Sequence, residues 1–233
     1  ILLGAFPEHD FLGEEEAAER KLKGLSPAPE RQSEYRWIVD PLDGTANYVH
    51  KLPAFAVSIA LQKGDDLVCG CVFDPSANEC FTAVNGGGSQ LNGKSIRVSN
   101  CRQISQAMVA VSFAPNVPRG SIEIARFVEA IHAAQGVRRL GSAALNLSYV
   151  ASGRLDSYWA TSVNVWDIAA GVLLVREAGG VVTNIDGGPL DIDRPQFVAS
   201  ASQSLHAEVL EVFQRAEQSP DGSSSSEIQS LRA

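Results

Sequence analysis

The stretch Trp37-Ile38-Val39-Asp40-Pro41-Leu42-Asp43-Gly44-Thr45-Ala46-Asn47 decides how the rest of the chain is read. Its apolar run, Trp37 to Val39, has strand character and delivers two carboxylates onto a turn containing Pro and Gly. Two ionised Asp side chains this close repel each other unless a cation lies between them, and an all-oxygen site of that kind suits Mg²⁺. Pro41 fixes φ, so the Leu42 carbonyl can be aimed at the same ion as a neutral ligand. Gly44 and Thr45 offer backbone N–H groups beside it, a cradle for a phosphate. Taken alone, Asp-Pro-x-Asp-Gly is more often a plain turn, because each of its residue types is favoured there.

One enzyme class is excluded by the same stretch. Phosphatases that pass through an aspartyl-phosphate use two Asp separated by a single residue before Gly-Thr, the first being the nucleophile. Here the residue two before Asp43 is Pro41. Attack by a metal-activated water is the chemistry that remains.

At 233 residues the chain suits one large domain or two small ones and can bury a sizeable core. Its composition, 45% hydrophobic and 20% charged, is that of an ordinary globular protein. A net charge of −8 argues against nucleic-acid or anionic-membrane binding, but not against a phosphate site, since bound divalent cations invert the local charge. Cys69, Cys71, Cys80 and Cys101 show no CxxC spacing, and buried reduced thiols in a cytoplasmic compartment are expected. No apolar run approaches a membrane span, and Ile1 to Phe6 lacks the basic flank and length of a signal peptide. The chain begins at Ile1 and its single methionine is Met108, so a segment upstream is expected.

Glu14-Glu15-Glu16 after Gly13 reads as the acidic first turn of a helix, and one of the three is a candidate metal ligand. Residues 23 to 35 read as a loop. A short helical turn is expected over Ala46 to His50, then an antiparallel meander with strands Phe55 to Leu61, Leu67 to Phe73 and Glu79 to Val84. The Gly86-Gly87-Gly88 run fits hairpin turns rather than a phosphate loop. Further strands are expected at Met108 to Phe113, Val137 to Leu140, Asp156 to Ala160, Val181 to Asn184 and Gln196 to Ala199. Helices are expected over Ser121 to Ala134, from Gly141 through about Val150, over Trp166 to Ala178 and over Ser202 to Ala216. The Ser121 helix should bury Ile124, Phe127, Val128 and Ile131. Residues 1–217 then form one domain, and 218–233, with four consecutive serines, a disordered tail.

A second candidate constellation opens the long helix: Trp166-Asp167-Ile168-Ala169-Ala170-Gly171. Asp167 sits in a first turn, where a carboxylate is stabilised by the helix dipole. The small residues after it let another backbone approach closely.

Together, Gly13-Glu14-Glu15, the Trp37 to Asn47 stretch, Trp166 to Gly171 and Glu177-Ala178-Gly179-Gly180 closely resemble the inositol monophosphatase family, with further likeness at Phe55 to Ala60 and Leu91-Asn92-Gly93. The resemblance implies an α/β/α/β/α layered sandwich of the sugar-phosphatase type and Mg²⁺-dependent hydrolysis of a small phosphate monoester. It implies that Glu14, Asp40 and the Leu42 carbonyl hold one ion, that Asp40, Asp43 and Asp167 hold a second, and that Glu14 reaches a third through water. Thr45 would orient the attacking water, and the Gly44 and Thr45 N–H groups would bind phosphate. Asp43, Gly141, Ser142, Ala143 and Asp167 would line the substrate's ring hydroxyls. A homodimer is also implied. In two places the chain departs from the family pattern: Ala160 stands where a Glu usually binds a substrate hydroxyl, and an N-terminal helical segment is absent. Inositol 1-phosphate or a similar polyol phosphate is the leading substrate. The alternatives are histidinol phosphate, fructose 1,6-bisphosphate, a nucleotide 3′-phosphate, or a non-catalytic metal- and phosphate-binding regulator.

Overall fold

The strand carrying Asp40 is the second of seven in a sheet whose strands lie side by side in chain order. The structure, a computed structural model, describes residues 1–114 and 116–218. The seven strands are β1 (Asp10–Gly13), β2 (Tyr35–Asp43), β3 (Ala56–Lys63), β4 (Asp66–Asp74), β5 (Glu79–Val84), β6 (Gly88–Leu91) and β7 (Lys94–Ile96). β1 runs parallel to β2, and every other pairing is antiparallel. Short helices α1 (Leu2–Ala5) and α3 (Thr45–Val49) flank the sheet, and α2 (Glu14–Leu22) leaves β1 with its three Glu in the first turn.

β2 extends further than the sequence reading allowed. It continues through the Asp-Pro-Leu-Asp segment, with a register shift between Asp40 and Asp43. Asp40 faces Ser58 and Asp43 faces Ala56, so three steps along β2 match two along β3. Residues three apart in a regular strand point to opposite faces; the one extra residue, a β-bulge, brings both carboxylates onto the same buried face.

The second sheet contains β8 (Met108–Ser112), β9 (Gly136–Arg138), β10 (Ser157–Ala160), β11 (Val181–Asn184) and β12 (Phe197–Ser200), in the order β11-β12-β10-β8-β9. Between the sheets lie α5 (Ala143–Ala151) and α6 (Val165–Glu177), apolar nearly all round as helices covered on both sides must be. On the far side of the second sheet pack α4 (Ile122–Ala133) and α7 (Gln203–Gln218). Alternation divides β10 between two cores: Tyr158 and Ala160 face α5 and α6, while Trp159 meets Phe213 of α7 edge-on at 5.2 Å.

The expected layered α/β sandwich is therefore present, four of its layers being sheet, helix pair, sheet and helix pair. No helix of the described residues spans the outer face of the seven-stranded sheet. Phe6 and His9 cover one edge of it, His9 stacking on Tyr35 and Phe6 lying tilted against Trp37. Farther along, Val57, Ile59, Leu61, Cys69, Cys71 and Phe73 are half-buried.

Other expectations need adjustment. The four cysteines are free, but half-buried rather than buried. α4 buries Ala130 and leaves Val128 and Ile131 exposed, so its inner stripe is rotated from the one read in sequence. The glycines at 86 to 88 do form a turn, whose Gly86 and Gly88 N–H groups donate to the Glu177 carboxylate at 3.0 and 2.8 Å. The expected tail lies outside the described residues from 219 onward.

Candidate active site

Four carboxylates reach one place from three separate elements. β1 pairs with β2 in parallel with Gly13 opposite Val39, so Glu14 emerges beside Asp40. The bulge adds Asp43 from the same strand. Asp167 arrives on the first turn of α6, which can lie flat on the sheet because small residues meet there: a Cβ on Gly70 would stand 2.9 Å from the Ala170 Cα. The Ser58 hydroxyl of β3 also donates to the Trp166 carbonyl at 3.3 Å.

Three of the acids accept hydrogen bonds from backbone N–H groups. Asp40 accepts from the Leu42 N–H at 2.9 Å. Asp167 closes a capping box, accepting from the Asn164 N–H at 2.7 Å. Asp43 accepts from the Ser142 hydroxyl and from the N–H groups of Ala143 and Ala144 at 3.2 and 2.8 Å, so it is anchored on the positive end of α5. Ser142 and Ala143, which the resemblance places against substrate, are here engaged with Asp43. Gly141 is left-handed at φ 86, and a Cβ on it would strike the Asn47 side chain, whose amide ties the two loops together by donating to the carbonyls of Ala54 and Leu140.

Burial and mutual repulsion disfavour ionisation of this group. Burial first, then repulsion from Asp43, Glu14 and Asp167, pushes Asp40 up to about 8 against the pull of the Leu42 N–H. Burial raises Asp43 to about 6 even though Ser142, Ala144 and Ala143 donate to it. Asp167 rises to about 7 from burial and from the charges of Asp43 and Glu14, and it lies within hydrogen-bonding reach of Asp40. Acids with raised proton affinity clustered in one place mark a candidate functional site.

The carboxylates are neighbours rather than a closed cage: among the described residues no three His, Cys, Asp or Glu side chains are gathered into metal-binding geometry. The reason is visible in their bonds, since Asp43 is turned toward α5 and Asp167 toward Asn164. The donor chemistry nevertheless fits a hard divalent cation, being all oxygen with four acids and, among the described residues, no Lys or Arg bonded to any of them.

Beside the acids, Gly44 adopts φ 86, where a Cβ would approach the Ala54 carbonyl oxygen to 2.8 Å, so glycine is required. α3 begins at the next residue, and the N–H groups of its first turn have no acceptor within the helix. The Thr45 hydroxyl donates to the Leu42 carbonyl at 3.0 Å. Ala160 is fully buried in the core. Glu14, Asn164 and Trp166 also line a cavity of about 880 Å³ that extends past Arg36 and Asp193, which form an ion pair at 3.1 Å.

Sequence reasoning missed Asn164, Asn47 and Ser58 in this neighbourhood. Asn164 was legible as the helix cap three residues before an acid. The other two act across 93 and 108 positions and leave no local signal.

Two stacked sheets around a buried helix pair, with acids converging where β2 meets α6, define the class: a layered α/β protein of the sugar-phosphatase type. The chain belongs to the inositol monophosphatase family, whose model matches residues 2–218. It is 42% identical over 200 residues to a protein of Mesorhizobium japonicum named inositol-1-monophosphatase, covering 84% of this chain and 70% of that one. It is 40% identical over 202 residues to Nus factor SuhB of Pasteurella multocida, covering 86% and 72%. Among solved structures, inositol monophosphatase from Anabaena (Nostoc) sp. PCC 7120 superposes with a TM-score of 0.83 at 37% identity, covering 92% of this chain and 81% of that one. No helix of the described residues is long and apolar enough to cross a membrane.

Proposed function

We propose that this protein is a Mg²⁺-dependent phosphomonoesterase that hydrolyses inositol 1-phosphate or a similar small polyol phosphate. The observation that carries this reading is the convergence of Glu14, Asp40, Asp43 and Asp167, three of them with raised proton affinity. Glu14, Asp40 and the Leu42 carbonyl would hold one ion, and Asp40, Asp43 and Asp167 a second, with Glu14 reaching a third through water. Mg²⁺ held there supplies the positive charge that acidifies water and offsets the charge of the phosphate.

The chain's own groups do the rest. The Gly44 and Thr45 N–H groups receive phosphate oxygens. The Thr45 hydroxyl, already directed at the Leu42 carbonyl, orients the attacking water. Asp43 fixes the start of α5 through Ser142 and Ala143, so that the exposed Gly141 just before them meets the polyol hydroxyls. With alanine at 160, no carboxylate at that position accepts a substrate hydroxyl, which favours a broad polyol specificity. The free thiols fit a reducing, cytoplasmic setting, and a homodimer is the assembly we expect.

Phosphate release from a panel of inositol 1-phosphate, histidinol phosphate, fructose 1,6-bisphosphate and a nucleotide 3′-phosphate, with and without Mg²⁺, tests the proposal. Mg²⁺-dependent turnover led by inositol 1-phosphate is expected; faster turnover of histidinol phosphate would reassign the substrate. A second reading, a partner-binding regulator, rests on the relatives named Nus factor SuhB. Mg²⁺ binding without turnover of any of these esters would favour it.

A further inference from the structure

Three of the four cysteines lie on the outer face of the seven-stranded sheet, away from the carboxylates. Cys69 and Cys71 alternate along β4, and Cys80 is on β5, where the register sets Cys71 opposite Thr82 and Phe73 opposite Cys80. Cys71 and Cys80 are therefore diagonal neighbours, and their sulfurs stand 3.7 Å apart. Both are half-buried. They play no part in the hydrolysis proposed above, and the sequence gives no hint of their pairing, because they belong to different strands of one hairpin.

We infer that Cys71 and Cys80 are a site of reversible oxidation, closing to an intrachain disulfide in the presence of a peroxide. A disulfide needs its sulfurs at about 2.05 Å, so they must approach by roughly 1.7 Å. Rotation of the two side chains supplies part of that movement. Diagonal partners on adjacent strands are farther apart than directly opposed ones, so some backbone adjustment completes it. A bond closed against such resistance is readily reduced, and belongs with labile disulfides rather than permanent staples. The chemistry balances with hydrogen peroxide: one thiolate is oxidised to a sulfenic acid as the peroxide O–O bond breaks and hydroxide leaves. The second thiol then attacks that sulfur, forming the S–S bond and releasing water. Burial first, then the neighbouring Cys80, pushes the Cys71 thiol up to about 12, so peroxide must meet it in a thiolate form that this face disfavours.

The test is peptide mapping by mass spectrometry of the whole protein after exposure to hydrogen peroxide, with free thiols alkylated and the digest left unreduced. The expected result is a linked pair of peptides carrying Cys71 and Cys80, two hydrogens lighter than their sum and lost on treatment with dithiothreitol. Cys80→Ser abolishes the link, while Cys101→Ser leaves it intact. Recovery of both thiols separately alkylated, or as sulfinic acids, would overturn the inference. A dominant link from Cys80 to Cys69, or between two chains, would overturn it equally. Following alkylation of the unmodified protein during the exposure gives a readout free of any folding defect: Cys71 and Cys80 should lose reactivity at the same rate, ahead of Cys101. Because these readouts are covalent, they stand or fall independently of phosphatase activity.

Discussion

On the seven-stranded sheet, the face toward α6 carries Asp40, Ser58, Gly70 and Ser89, whereas the opposite face carries Val57, Ile59, Leu61, Cys69, Cys71 and Phe73. The inner face is the buried one and also holds Ile38, Val72 and Phe81, while the outer side chains are half-buried. Hydrophobicity alone does not explain why small residues stand where α6 crosses the sheet. The resolution lies in close approach: Gly70 admits the backbone at Ala170, and the hydroxyls of Ser58 and Ser89 satisfy the carbonyls of Trp166 and Leu174. A bulky inner face would hold α6, and Asp167 with it, away from Asp40. The site therefore depends on small residues at the point where α6 crosses the sheet.

The sharpest way to probe this contrast is Asp43→Asn, which keeps the shape and the bond to Ser142 but removes a charge from the inner face. We expect turnover to fall at least about 100-fold, the scale seen when a group stabilising transition-state charge is lost, with the fold intact by circular dichroism. Near-normal turnover would remove Asp43 from the chemistry.

Next in size is the pH dependence of the metal-free protein. Asp40, Asp43 and Asp167 have folded pKa values of about 8, 6 and 7, above the ordinary aspartate value of 3.8. Raised acids contribute their stability in full below pH ~4 and lose it as pH rises through the folded values, because the unfolded chain ionises first. Metal-free protein should therefore lose stability between about pH 4 and 8, on the order of 3 kcal/mol for a single acid raised by two units. Mg²⁺ should reverse that loss by binding the ionised form. Urea midpoints across pH, with and without Mg²⁺, give the answer; stability that climbs with pH in the absence of metal would contradict it.

Gly70→Ala tests the packing itself. A Cβ there stands 2.9 Å from the Ala170 Cα and 3.1 Å from its carbonyl oxygen, so backbone must move. We expect a loss of about 1–3 kcal/mol in urea unfolding, together with reduced turnover as α6 shifts. On the outer face, Ile59→Thr should cost about 1 kcal/mol or less and leave turnover unchanged, since the side chain is only half-buried. Equal effects on activity from these two substitutions would erase the distinction between the faces.

Much of this was legible in the sequence where the signal is local. Asp40, Asp43 and Asp167 announced themselves by turn and helix-start chemistry, and the meander from β3 to β5 by alternation. The bulge between Asp40 and Asp43 was not legible, because a run containing proline and glycine reads as a turn whether or not pairing continues through it. β1, β6 and β7 are 4, 4 and 3 residues long, too short to show a period. The anchoring of Asp43 on Ser142 spans 99 positions, and the Cys71–Cys80 pair depends on strand register; neither has a signature within a window of sequence.

Calorimetric titration of the metal-free protein with Mg²⁺ near pH 7, in two buffers of different ionisation enthalpy, reaches the central claim most directly. If Glu14, Asp40, Asp43 and Asp167 share divalent ions, binding must release protons from the raised acids, and Asp167→Asn must weaken it at least about tenfold. Binding without proton release and with unchanged affinity in Asp167→Asn would show that the ion goes elsewhere, and that these four side chains are not its site.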